Sequence, residues 1–329
     1  NLVVEGIDFA KLPVGTRFRC GEVVLELTQI GKECHNGCAI FQKMGECIMP
    51  REGVFTRALK GGKVSVGDEM SVDKAMIFDT HAHYDDEAFD EDREQLLGEL
   101  KKAGIAGVVN VAASLSSCKT SRGLAEKHDF IYCVLGVHPS ETAELTEESF
   151  GWLKEQCQYE KCVAVGEIGL DYYWQEPDRE IQREWFARQL ALARKVKLPV
   201  IIHSREAAQE TVDIMKAENS QEIGGVIHCY SYSKELARTF LDMGFYFGIG
   251  GVLTFKNARK LKEAVEYIPL DRIVVETDCP YLAPEPNRGK RNSSLNLPYV
   301  ITRLAELKGL EEEEIREAVW HNAHALYRL

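Results

Sequence analysis

The chain has 329 residues, is 45% hydrophobic and carries a formal charge of −12, values that fit a well-packed protein of one large or two unequal domains and exclude a disordered chain. No run is apolar enough to span a bilayer, and the opening NLVVEGIDFAKLP lacks the tripartite order of a secretory signal. Net acidity argues against broad, sequence-independent affinity for nucleic acid while leaving room for a local basic site.

The first residue is not Met, so the N-terminus is taken as incomplete. Up to about Val72 the pattern is short β runs broken by Gly and Pro, including EVVLELTQI, GVFTRALKGGKVSVGD and the turn-rich CHNGC. This reads as a small β-rich segment over residues 1–72. From Met76 to Leu329, strand-like runs alternate with amphipathic helices, the pattern of βα units around a parallel sheet. The strands are placed at AMIFDTH, IAGVVNVAA, IYCVLGVHP, CVAVGEIGL, LPVIIHS, GGVIHCY, GFYFGIGG and RIVVETD, with helices such as DREQLLGELKKAG, QREWFARQLALARKVK and SKELARTFLDMG between them. Residues 76–329 match the roughly 250 residues of a (β/α)8 TIM barrel. A doubly wound open sheet is the competing α/β arrangement, but it gives no reason for the polar strand ends described next. Ten cysteines in a chain this long form no disulfide-scaffold pattern, and Cys133, Cys162 and Cys229 sit in apolar strand-like runs. They read as reduced core thiols of a cytoplasmic protein.

The first barrel strand, IFDTHAHYDD, ends with Asp79, His81 and His83 at alternating positions. Side chains two apart in an extended chain point the same way, so the two imidazoles converge and leave Thr80 and Ala82 on the other face. At the C-terminal ends of the other strands stand His138, Glu167, His203, His228 and Asp278. Five of the nine histidines thus fall on one predicted rim, the face where side chains of such a barrel converge. His35, His128, His321 and His324 lie elsewhere in the sequence. Four histidines and two carboxylates gathered at one rim are costly unless they pair or bind a metal.

Two divalent ions fit this set better than one. Imidazole mixed with carboxylate suits Zn, Mn, Co or Fe more than Ca, with Mg the less natural choice. His81, His83 and Asp278 would hold one ion and His203 and His228 the other, with Glu167 midway in strand order as the bridge. Glu167 also removes any need for a modified lysine at the fourth strand.

The motifs FDTHAH, GVHP, VGEIGLDYY, PVIIHSREA, HCYSYS, TFKNA, ETDCPYLAP and RGKRN resemble those of the TatD family of metal-dependent hydrolases over Met76 to Leu329. That resemblance implies a (β/α)8 barrel of the amidohydrolase superfamily, phosphodiester hydrolysis on DNA, often as an exonuclease, and a divalent-ion dependence that varies among members. It implies metal ligation by His81, His83, Glu167, His203, His228 and Asp278. One departure is Ser293 and Ser294 in RGKRNSSLNLPYV, where family members commonly carry an acidic residue and Pro soon after Asn. In the matching chemistry a bound ion brings the pKa of water down to roughly 7. Asp278, with Glu167, is the catalytic candidate, Asp278 orienting the attacking water and taking its proton. His138, Arg205, Lys256, Arg288, Lys290 and Arg291 are candidates for contact with substrate phosphate, because an acidic chain needs a local cationic loop to hold an anion.

The stretch VEGIDFAKLPVGTRFRCGEVVLELTQIGKECH resembles the later part of a MOSC domain, with Cys34 at that family's cysteine, and so implies a sulfur-carrying persulfide there. Cys34, Cys38 and Cys47 as metal ligands, or Cys34 as an inert thiol, are the competing readings. For the whole chain the expectation is a cytoplasmic deoxyribonuclease or exonuclease with nucleic acid as its partner. The alternatives are a metal-dependent amide or ester hydrolase acting on a small molecule or aminoacyl-tRNA, and a sulfur-carrier or binding module.

Overall fold

The computed structural model of the protein describes residues 2–12, 16–31, 53–73 and 76–329. The chain divides into two compact units, Asn1–Ala75 and Met76–Leu329. In the first, strands β1 (Arg17–Cys20), β2 (Val23–Ile30), β3 (Val54–Lys60) and β4 (Ser71–Asp73) form one antiparallel sheet in the order β3-β2-β1-β4. Phe18 and Leu27 are fully buried. The predicted run GVFTRALKGGKVSVGD is strand only over Val54–Lys60, since the glycines that follow offer no side chain to a pleated face. Cys34, His35, Cys38 and Cys47 lie outside the described residues.

The second unit has eight parallel strands, paired in chain order from β5 to β12. They are β5 (Ile77–Ala82), β6 (Ile105–Val111), β7 (Ile131–Leu135), β8 (Cys162–Asp171), β9 (Val200–Arg205), β10 (Gly225–Ile227), β11 (Tyr246–Ile249) and β12 (Ile273–Val275). Each of the eight predicted runs overlaps one of them, and β5, β8 and β9 extend one residue past theirs. The helices between them bury an apolar stripe against the strands. In the long helix Arg179–Val196, for example, Trp185, Phe186, Gln189, Leu190 and Ala193 are buried. Several helix starts carry a side-chain oxygen cap for an orphan N–H group: Ser114 accepts from Ser117 N, Thr146 from Ser149 N and Asp178 from Glu180 N.

The ends of the sheet meet through β5 and the segment after β12. His83 N donates to Cys279 O at 2.9 Å, Asp278 N to His81 O at 2.9 Å, and Thr80 Oγ1 to Val275 O at 3.0 Å. The buried Asp79 ties the same seam, accepting from Thr277 Oγ1 at 2.7 Å and Ser294 Oγ at 2.6 Å. Opposite the strands' C-terminal ends, Phe78, Val109, Val134, Ile201, Val226 and Val274 fill the interior together with Leu326 and Tyr327 of the last helix. Tyr327 Oη–H donates to Thr80 O at 2.8 Å. The barrel is therefore a packed core with one open rim.

Strand pleat alone does not aim the rim residues. Phe78 packs in the inner cluster and Ala82 in the outer one, although positions four apart share a face in a regular strand. The register with β6 shifts between Asp79 and Ala82, and that irregularity turns His81 and His83 inward. A second shift, between Val165 and Ile168, falls on Glu167. Irregularities that re-aim a side chain gather beside functional sites.

Candidate metal centre

His81 and His83 come from the end of β5, Glu167 from within β8, and His203 from β9. Expected after the fourth strand, Glu167 stands mid-strand, because β8 continues to Asp171. His228 follows β10 directly, and Asp278 sits three residues past β12 with φ of 55°. A left-handed backbone is unfavourable for a carboxylate residue and persists only where the surroundings impose it. Here its N–H is held by His81 O.

The two oxygens of Glu167 face different histidines. Oε2 lies 3.4 Å from His81 Nε2 and 3.9 Å from His83 Nε2. Oε1 lies 2.6 Å from His203 Nδ1 and 3.6 Å from His228 Nε2. Asp278 Oδ1 is 3.2 Å from His83 Nε2 and 3.7 Å from both His81 Nε2 and His228 Nε2. His81 Nε2 and His83 Nε2 face each other at 3.1 Å. Only one hydrogen fits between two such nitrogens, whereas a cation would accept both lone pairs. His81 Nδ1 is buried without a hydrogen-bond partner. The donors thus fit a metal on each side of Glu167. Among the described residues His81, His83 and Asp278 form one group of potential ligands, and His81, Glu167 and His228 another.

His203 and His228, the pair expected to share the second ion, fall in separate groups of potential ligands. Their ring centroids are 6.4 Å apart, and His203 falls in a group with His138 and Asp171. What joins His203 to His228 is Glu167 Oε1, which faces both.

Electrostatics follow from this crowding. Burial works against protonation of His83, but the Asp278 and Glu167 carboxylates outweigh it and raise its pKa to about 9. His203 is likewise raised to about 9 by Asp171 and Glu167 against burial, and His228 to about 10 by Glu276, Glu167 and Asp278. Burial pushes Glu167 and Asp278 upward, yet the surrounding imidazoles hold both below the usual carboxylate range. Burial, seconded by His203, lowers His138 to about 3. Its Nδ1 accepts from Ser140 N at 3.1 Å, which leaves a neutral ring with its hydrogen on Nε2, 3.9 Å from Glu167 Oε1.

A cavity of about 770 Å³ opens over these groups, lined also by Asp85, Asp86, Trp174, Arg205 and Tyr281. Arg205 lies over the Tyr173 ring at 3.8 Å. The remaining cationic candidates do not line this cavity. Lys256, Arg288 and Lys290 are exposed, with Arg288 over the ring of Phe255, the residue before Lys256, at 4.1 Å. Arg291 is spent otherwise: its guanidinium donates to Asp92 at 2.8 and 2.5 Å and to Ala88 O at 2.6 Å. Among the other histidines, His324 packs on Trp320 and Phe78 in the inner cluster, away from the rim.

Residues 78–328 match the family model described as TatD related DNase. The chain belongs to the TatD family. It is 44% identical over 254 residues to the metal-dependent hydrolase YabD of Bacillus subtilis, covering 77% of this chain and 100% of that protein. The TatD-named hydrolase of Mycobacterium tuberculosis is 36% identical over 262 residues, covering 77% and 98%. Among solved structures, the TatD homologue YjjV of Escherichia coli superposes with a TM-score of 0.73 at 30% identity, covering 78% of this chain and 99% of that one. TatD membership makes this chain a metal-dependent hydrolase with a TIM-barrel fold of the amidohydrolase kind. Residues 1–71 match the model of the MOSC domain. Among the described residues no helix is long and apolar enough to cross a membrane.

Sequence reading passed over two buried carboxylates of this TatD site. Asp171 lies four residues beyond Glu167 on one strand and Glu276 two before Asp278, so even spacing was the available signal. Asp171 Oδ2 is 3.0 Å from His203 Nε2. Glu276 Oε1 accepts from Cys229 N at 2.6 Å and lies 3.0 Å from His228 Nδ1, off the line of a hydrogen bond. Trp174 and Tyr281 carry no sequence signal of their own, since they reach the cavity from loops.

Proposed function

We propose that the barrel unit is a two-metal phosphodiesterase acting on nucleic acid, DNA in the first instance, within the cytoplasm. His81, His83, Asp278 and Glu167 Oε2 would hold one divalent ion, and Glu167 Oε1, His203 and His228 the other. Bound there, divalent ions make hydroxide available near neutral pH and offset charge on a phosphoryl group. Asp278 orients the attacking water and accepts its proton, being held ionised by His228 and His83. His138 offers its Nε2–H to a phosphoryl oxygen, and Arg205 supplies a positive charge on the same side.

The observation that carries the choice of substrate is the cavity lining. Exposed Trp174 and Tyr281 and the Tyr173-stacked Arg205 stand around the donor cluster. Flat aromatic faces stack on bases of any sequence, and a guanidinium pairs with phosphate. The free, mostly buried thiols, Cys133, Cys157 and Cys162 among them, support a reducing compartment. The test is a direct comparison of metal-loaded protein on end-labelled single- and double-stranded oligonucleotides, RNA, and a series of acyl esters and amides. Hydrolysis of oligonucleotides with inert acyl substrates is the expected result. Turnover of esters or aminoacyl-tRNA alone overturns the phosphodiester reading.

A further inference from the structure

Asp171 is buried and has no place among the six residues proposed to hold the ions. We propose that Asp171 is the positioning residue for the second ion: it takes the hydrogen of His203 Nε2 and thereby leaves the Nδ1 lone pair of that ring aimed at the point shared with Glu167 and His228. This inference rests on the two-ion reading above and assigns Asp171 no contact with substrate.

Three observations carry it. His203 spans two carboxylates, with Nε2 at 3.0 Å from Asp171 Oδ2 and Nδ1 at 2.6 Å from Glu167 Oε1. A neutral imidazole has one N–H and one lone pair, so a donor role toward one carboxylate fixes an acceptor role at the other nitrogen. Second, Asp171 is itself held from both ends. Its Oδ1 accepts from Tyr173 N at 3.1 Å, and Gln182 brackets its backbone, accepting from Asp171 N at 2.9 Å and donating to Asp171 O at 3.1 Å. The carboxylate therefore has little freedom to follow the ring if the ring turns. Third, the two strands come close enough to fix the pair. Gly169 has φ of 146°, and a Cβ there would lie 1.8 Å from His203 O, so only glycine lets β8 seat against β9 at this register. A carboxylate–imidazole pair of this kind fixes ring orientation and raises ligand basicity, and its loss costs about 10- to 100-fold in metal affinity.

His228 makes the contrast. Its Nδ1 lies 3.0 Å from Glu276 Oε1 without hydrogen-bond alignment, and that oxygen is already engaged by Cys229 N. Of the two rings proposed for the second ion, only His203 is locked by a carboxylate in the line of its N–H.

The experiment is a competitive titration of the chelated full chain with Zn2+, read as two equivalents per chain, on the parent and on Asp171→Asn. The expected result is weakening of the second equivalent by about 10- to 100-fold with the first unchanged. With Co2+ the d–d absorption should change only in the band that develops with the second equivalent. Two equivalents binding the variant as they bind the parent overturn the inference, as does equal weakening of both, which is the mark of a merely structural role. A parent that never takes a second equivalent instead refutes the two-ion reading on which the inference stands. Should Asp171→Asn not fold, the parent decides alone. In the zinc-loaded protein, 15N resonances of His203 should show a protonated Nε2 and an unprotonated Nδ1, and the reverse assignment overturns the proposal.

Discussion

Glu167 Oε1 and His203 Nδ1 lie 2.6 Å apart, while the other oxygen of Glu167 faces His81. One buried carboxylate thus reaches both sides of the site. Replacement of Glu167 by Gln keeps the volume but removes the charge and one acceptor, so hydrolysis should fall by orders of magnitude and bound metal should drop from two ions to at most one per chain. Asp278→Asn should cost a similar factor in turnover. Circular dichroism should show both folded, and near-normal hydrolysis by both folded variants would remove these residues from the mechanism.

Metal uptake should depend on pH in a direction set by the imidazoles. His83 and His203 are raised to about 9 and His228 to about 10, so binding at neutral pH must expel protons, and affinity should rise with pH toward those values. In the chelated protein these groups contribute stability fully present below the unfolded pKa of about 6.5 and lost as pH rises through their folded values. Glu167 and Asp278, both lowered, contribute stability present above about pH 4 and lost on acidification. Chelated protein should therefore melt highest between about pH 5 and 7. The gap in Tm between loaded and chelated forms should widen from pH 6 to pH 9; a constant or shrinking gap would contradict this.

Ser294, one of two serines at the departure from the family pattern, donates to Asp79 Oδ2 at 2.6 Å and pairs with Tyr84 Oη at 2.8 Å. Ser294→Ala leaves Asp79 and Tyr84 each short of one partner in the buried seam that closes the barrel. Chemical denaturation should show a loss of about 1–3 kcal/mol with metal content unchanged. The neighbouring Ser293→Ala should stay within about 0.5 kcal/mol. Equal effects of the two would deny Ser294 its place in the seam.

The cationic loop should divide in function. If Arg288 and Lys290 reach the substrate backbone, replacing both with Gln should flatten the dependence of log Kd on log salt by about 0.7 for each phosphate of a single strand that is no longer neutralised. A small, singly charged phosphodiester should suffer less than an oligonucleotide. Arg291→Gln should leave the salt slope unchanged, because that guanidinium is bonded to Asp92 and Ala88. Identical salt slopes for parent and double variant would make the loop plain solvated surface.

Cys34→Ser should keep hydrolysis within a few-fold of the parent. No group of potential metal ligands among the described residues includes one from the first 75. Lost hydrolysis with metal content intact would mean that the two units are functionally coupled.

The order of strands and helices from Met76 onward, and the six ligand candidates, were legible in the sequence because both depend on local pattern. Apolar period marks elements, and in a parallel barrel each strand end delivers its polar residue to one rim. In the folded chain His81, His83 and Asp278 form one group of potential ligands, and Glu167 Oε1 faces both His203 and His228. Three matters needed the folded chain. The inward aim of His81 and His83 rests on a register shift after Asp79, and a two-residue period cannot announce its own interruption. The pairing of His203 with Asp171, and the diversion of Arg291 to Asp92, depend on hydrogen bonds between residues 32 and 199 positions apart. Charge count alone treats Arg288, Lys290 and Arg291 as equals; only packing decides which of them already has a partner.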